Sequence, residues 1–230
     1  MIYKTIETRI KQAIDTREKG ELSKSRRLFE SLLKDLEKQL KKDSTKKLKY
    51  IYATAMGEYV IQYRLEATRL YDKALELGKS LLKYDRQNKI GNPLSVRAVS
   101  NTLLDIRRFE ESEEYLRQLI PIYKENSGRQ GDIKAHLAYC LFRIGKVRGA
   151  SKLIDEAIED IEKNTAKEEY FSVWQPYALM VKALIYNSKE KFGEAMKYAK
   201  KASVIAKIDN RVFRIKQAQE LVDLLKKKKN

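Results

Sequence analysis

Cysteine, histidine and tryptophan occur once each in this sequence, and proline only three times. A lone Cys140 cannot close an internal disulfide, which points to a reducing compartment and a fold held by its core alone. With nine glycines and three prolines, the chain lacks the turn residue that a sandwich or barrel needs at about every tenth position. Long apolar runs are missing too: none approaches the roughly 18 residues of a membrane span. The first twenty residues, MIYKTIETRIKQAIDTREKG, carry charge throughout and hold no signal-peptide core. These absences predict a soluble, cytoplasmic protein built from long helices.

Chemistry-bearing motifs are equally scarce. His136 and Cys140 stand four residues apart and could share a helix face, but zinc takes three or four protein ligands and no second His or Cys exists. Cys140 therefore reads as a small buried hydrophobe and His136 as a surface or groove residue. Gly128 and Gly131, in ENSGRQGD, match neither a phosphate-cradling loop nor a dinucleotide fingerprint and read as loop residues. Carboxylates alternate with cations along helix surfaces, as in EESEEYLRQ, with no isolated acid–base pair. No catalytic residue, metal or cofactor is expected.

The chain does contain hydrophobic residues at 43%, charged residues at 35%, and an internal repeat. The clearest unit is residues 132–164, where Leu137, Ala138, Leu141, Gly145, Ala150, Ile154 and Ala157 fall at helical spacing around a chain reversal. A second copy has Ala183, Tyr186, Phe192, Ala195, Ala199 and Ala202. Ser100, Leu103, Phe109, Ser112, Leu116 and Leu119 make a third, more degraded copy. Ala13, Gly20, Ser25 and Phe29, then Met56, Gly57, Val60 and Ala74, give two more. Two antiparallel helices approach closely only where neither presents bulk, so Ala, Gly or Ser must meet there.

This pattern resembles the tetratricopeptide repeat. The small residues opening each second helix, Ser25, Ala74, Ser112, Ala150 and Ala195, are spaced by 49, 38, 38 and 45 residues. That exceeds the usual period of about 34, so longer helices are expected. The resemblance implies an all-α, right-handed superhelix (an α-solenoid) of about five antiparallel helical hairpins, forming a single domain over residues 1–230. The hairpins fall near 2–42, 45–85, 93–125, 130–163 and 166–207, with a capping helix at 210–227. Along its length, Asn92 before Pro93 reads as an N-cap, and Thr165 with Glu168 as a capping box. Pro121 and Pro176 should kink or restart their helices. Val212, Ile215, Ala218, Val222 and Leu225 form the apolar face of the cap.

The resemblance also implies a function: a non-catalytic scaffold or adaptor that binds a peptide or helix of a partner, acidic ones included, in the concave groove lined by first helices. That groove would present Arg97 and Asn101, then His136, Tyr139 and Arg143. Arg97 and Asn101 resemble part of a carboxylate clamp, although Met180 and Val181 stand where the fifth hairpin would want a cation. Tyr52, Tyr59 and Tyr63 share a helix face, better suited to packing between hairpins than to a ligand platform.

Net charge is +17 and sits at the ends. Residues 1–50 hold 15 Lys/Arg against 8 Asp/Glu, and residues 201–230 hold 9 against 3. Lys41, Lys42, Lys46, Lys47 and Lys49 form a basic patch, and residues 226–229 a basic tail. The alternative function is therefore an electrostatic binder of RNA, DNA or a ribonucleoprotein through these regions. Lysine outnumbers arginine 33 to 16, which argues against sequence-specific base reading.

Overall fold

The computed structural model describes residues 2–66, 70–163 and 171–229. Eleven α-helices and one short 3-10 turn account for nearly all of them, and no strand occurs among the described residues. The helices are α1 (Ile2–Glu18), α2 (Leu22–Leu40), α3 (Lys46–Glu66), α4 (Tyr71–Gln87), α5 (Pro93–Asp105) and α6 (Phe109–Leu119). After a turn at Pro121–Tyr123 come α7 (Ser127–Arg143), α8 (Val147–Glu162), α9 (Phe171–Ser188), α10 (Phe192–Ile208) and α11 (Val212–Lys229). Contacts gather into two compact units, residues 1–111 and 112–230.

Within the first unit α1 packs on α2 and α3, α3 on α4, and α5 on both α3 and α4. Within the second, α7 packs on α8 and α9, α9 on α10, and α11 on both α9 and α10. The odd-numbered first helices of each unit thus lie side by side, and the second helices back them. Ser25, Ala74, Ser112, Ala150 and Ala195 are each 0% exposed, as close helix approach requires. The Ser25 hydroxyl is satisfied there by donating to the Ala13 carbonyl at 2.8 Å. Tyr59 packs on Phe29, and Tyr52 meets Tyr84 edge-on at 5.8 Å, so these tyrosines join neighbouring helices.

The turns repeat as well. Gly20, Arg107, Gly145 and Glu190 all have positive φ, of 85, 64, 83 and 59°. Each follows a first helix and closes it in one way: the left-handed residue donates to the carbonyl three back, and the next residue to the carbonyl five back. In the fourth hairpin these bonds run from Gly145 N to Phe142 O and from Lys146 N to Leu141 O. Glycine occupies this position twice, at Gly20 and Gly145; Arg107 and Glu190 bear the strain of a left-handed side chain. Glu190→Gly and Arg107→Gly should each raise stability by about 1 kcal/mol, and Gly145→Ala should lower it by about as much. Thermal melts that do not rank in that order contradict this reading of the turn.

Asn92 caps α5 by accepting from Leu94 N at 3.0 Å, with Pro93 at the first helical position. Asp85 braces the same corner, accepting from Asn92 N and from the Ser95 hydroxyl. Pro121 begins the 3-10 turn after α6, whereas α9 runs through Pro176 without interruption. Thr165 and Glu168 lie outside the described residues. On α11, Ala218, Val222 and Leu225 are buried as expected, but Val212 is exposed and the buried stripe includes Leu221 instead. Gly128 and Gly131 are not loop residues. Both lie inside α7 and are buried. Gly131 marks a point where α7 meets α8 too closely for a side chain: a Cβ there would fall 2.6 Å from the Ala157 carbonyl oxygen.

Candidate functional site

The first helices are held to one another by polar groups spaced along the face they share. In the first unit Arg17 of α1 is 5% exposed and reaches α3, donating to the Glu58 carboxylate at 2.8 Å and to the Glu58 carbonyl at 3.2 Å. Burial works against the guanidinium charge, yet Glu58 and Glu18 outweigh it and hold the Arg17 pKa above its ordinary value. Arg64 of α3 lies 3.2 Å from the Asp105 carboxylate at the end of α5. Arg97 is half-buried on α5, and Asn101, one turn on, is 3% exposed. The Asn101 Oδ1 is buried without a hydrogen-bond partner among the described residues.

In the second unit the joint between first helices is aromatic. His136 of α7 is buried and stacks on Tyr177 of α9, with ring centroids 4.2 Å apart and planes 19° apart. Arg214 of α11 places its guanidinium carbon 4.9 Å from the centroid of the same Tyr177 ring. It is fixed there by donating to the Val173 carbonyl at 3.1 Å and to Gln217 at 2.8 Å. His136 Nδ1 lies 2.8 Å from the Asp132 carbonyl oxygen; a carbonyl only accepts, so Nδ1 carries the proton. The Asp132 carboxylate, fully buried, lies 3.5 Å from the same nitrogen.

Beyond His136 on the same helix, Arg143 donates to the Tyr139 hydroxyl at 2.7 Å and lies 5.6 Å from its ring centroid. Tyr139 is half-buried and Arg143 exposed. The face of α7, α9 and α11 is thus a ladder: a buried acid and imidazole, a fixed tyrosine, an arginine over it, and a more open Tyr–Arg pair beside them. Its rings and guanidinium planes can pack apolar or planar groups and donate to acceptors, and its backing is rigid.

His136, Tyr139 and Arg143 therefore share α7 in the second unit, whereas Arg97 and Asn101 sit together on α5 in the first. Met180 and Val181 are core residues, 6% and 1% exposed. Tyr177 and Arg214 escaped the sequence reading. Tyr177 follows Asp132 by 45 residues, the same step as from Ala150 to Ala195. That register would have placed it on the face, one turn before Met180. Arg214 carried no signal, because its contact depends on how α11 seats on α9. Cys140 is buried, and no cluster of metal-binding side chains occurs among the described residues.

The basic patch lies in the first unit, around the turn from α2 to α3. Lys41, Lys42, Lys46 and Lys47 are exposed and Lys49 is half-buried. Thr45 caps α3 by accepting from Leu48 N at 3.3 Å, and Asp43 accepts from Thr45 N at 3.2 Å. Lys47 reaches over Tyr3, its ammonium 4.6 Å from the ring centroid.

A family model of the tetratricopeptide repeat matches residues 176–205, the stretch that forms most of α9 and α10. The crystal structure of BtubC (BKLC) from P. vanneervenii is similar over 93% of this chain and 90% of that chain, with a TM-score of 0.57 and 15% identity. The apo form of RapI is similar over 88% of this chain and 70% of that one, with a TM-score of 0.52 and 16% identity. At these identities the likeness speaks to the fold. Among curated protein sequences, none matches. No helix among the described residues is long and apolar enough to cross a membrane.

Proposed function

We infer that this tetratricopeptide-repeat-like helical repeat protein is an interaction scaffold that holds a peptide or helix of a partner protein against its first helices, without catalysing a reaction. The observation that carries the reading is the ladder His136–Tyr177–Arg214, which locks three first helices of the second unit into one prepared face. A binding face whose rings are already fixed loses little side-chain entropy when a partner arrives, which favours affinity. Tyrosine and arginine are also the side chains that most often dominate protein interfaces. Tyr139 and Arg143 are the groups that would touch a partner; Asp132, His136 and Tyr177 would support them from behind. Half-buried Arg97 of α5 would supply a separate polar contact on the first unit, with the buried Asn101 supporting it from behind.

The test is a partner recovered with the intact chain, then titrated against Tyr139→Ala/Arg143→Ala. Loss of two central contacts should weaken binding at least thirtyfold, about 2 kcal/mol or more, while the melting temperature holds, since Tyr139 is only partly buried and Arg143 is exposed. Undiminished binding by that variant removes the second-unit face from the site. Full binding by an Arg97→Ala variant as well would leave no first-helix groove reading.

A further inference from the structure

Several lysines elsewhere on this protein meet acids: Lys134 with Asp160, Lys146 with Glu113, Lys182 with Asp155, and Lys201 with Glu162. At the α2–α3 turn they do not. Lys41, Lys42, Lys46 and Lys49 make no ion pair among the described residues, and Lys47 sits over the Tyr3 ring. Asp43 is the one acid within residues 41–50, and its carboxylate is engaged by the Thr45 backbone. Five positive side chains therefore gather at one end of the first unit with a single acid among them. They also surround the start of α3, whose backbone dipole adds positive potential.

A second feature separates this patch from a merely solvated run. Tyr50 follows Lys46 by one helical turn and is 43% exposed, in contrast to Tyr52, Tyr59 and Tyr63, which are drawn into helix packing. An exposed ring amid lysines that make no ion pair offers a base a stacking surface and the adjoining phosphates point charges. Lysine on a flexible stem meets phosphate as a point charge, without the planar fork by which arginine reads base edges, so the contact is tolerant of sequence. Apart from Tyr50 the patch shows no large exposed hydrophobe that could enter a lipid surface.

We propose that Lys41, Lys42, Lys46, Lys47, Lys49 and Tyr50 form a binding surface for single-stranded nucleic acid, sequence-tolerant and built from residues other than those of the first-helix face of the second unit. The lysines neutralise successive phosphates and Tyr50 stacks on one base. The specificity is for an unpaired strand, because a duplex hides the faces of its bases.

The experiment titrates the full chain against a labelled single-stranded oligouridylate by fluorescence anisotropy, at salt from about 50 to 200 mM. Neutralising about four phosphates predicts a slope near −3 in log affinity against log salt, hence about a 60-fold loss over that range. Lys42→Gln/Lys46→Gln/Lys47→Gln/Lys49→Gln should abolish most of the slope. A charge-matched control, Lys152→Gln/Lys197→Gln/Lys200→Gln/Lys207→Gln, should keep it. Tyr50→Ala should cost roughly tenfold with the slope unchanged. Circular dichroism confirms that each variant is folded. The proposal is overturned by no binding at the lowest salt, equal losses in patch and control variants, full affinity in Tyr50→Ala, or equal affinity for a duplex of the same length. Tighter binding to polyglutamate or to phosphatidylserine vesicles than to the oligonucleotide overturns it in favour of an acidic protein or a membrane.

Discussion

Arg17→Met should cost about 3–5 kcal/mol, because it strands the Glu58 carboxylate between α1 and α3 with no cation to answer it. The Glu58 side chain is only 14% exposed, so water cannot take over the lost bonds. In a chain of this length each kcal/mol moves the melting temperature by roughly 2–4 °C, so a fall near 10–15 °C is expected. The double variant Arg17→Met/Glu58→Leu should recover part of that loss, since it removes the stranded Glu58 carboxylate and leaves only that of Glu18, 15% exposed, without its cation. A double variant that melts lower than Arg17→Met would show that the cost comes from lost packing of the arginine stem.

Gly131→Val should be nearly as damaging, at about 3 kcal/mol, through a collision that α7 and α8 cannot relieve by turning a side chain. A Cβ at this position would lie 2.6 Å from the Ala157 carbonyl oxygen, 2.8 Å from Ile161 Cγ1 and 3.0 Å from Asp160 Cβ. The first of these is backbone, so α8 itself must move, disturbing the Lys134–Asp160 ion pair across the same contact. Gly193→Ala supplies the contrast. Gly193 lies inside α10, and a methyl group there would meet nothing within 4 Å, so alanine should stabilise by up to about 1 kcal/mol through helix propensity alone. If chemical denaturation gave both glycine variants the same sign, close approach would not be the reason for Gly131.

Both predictions fall on residues whose role was invisible in the linear order. ENSGRQGD looks like a loop because glycine is common in loops and rare in helices. Its helical state is enforced by the Asn126 cap, which accepts from Arg129 N at 2.9 Å, and by the closeness of α8. Arg17 sits among the charges of TREKG, 41 residues before Glu58, and nothing local distinguishes it from its exposed neighbour Lys19. The site divides in the same way. His136, Tyr139 and Arg143 were legible because spacings of three and four residues on one helix fix a shared face. Tyr177 was marked only by the 45-residue step of the repeat, and Arg214 by nothing, because it joins that face only through a contact between helices.

By itself the sequence determined the helical hairpins. Apolar spacing, small residues at Ser25, Ala74, Ser112, Ala150 and Ala195, the Asn92–Pro93 cap and the glycine at 145 act within one or two turns of helix, and local geometry leaves them little choice. Only the tertiary structure decided which polar side chains would meet: Arg17 with Glu58, His136 with Tyr177, and Tyr177 with Arg214. Each of these contacts spans 37 to 41 residues of chain and joins different first helices. The repeat pattern says that such helices pack side by side. Their rotation about their own axes, set by the whole set of buried side chains together, decides which charge or ring each one turns toward the next.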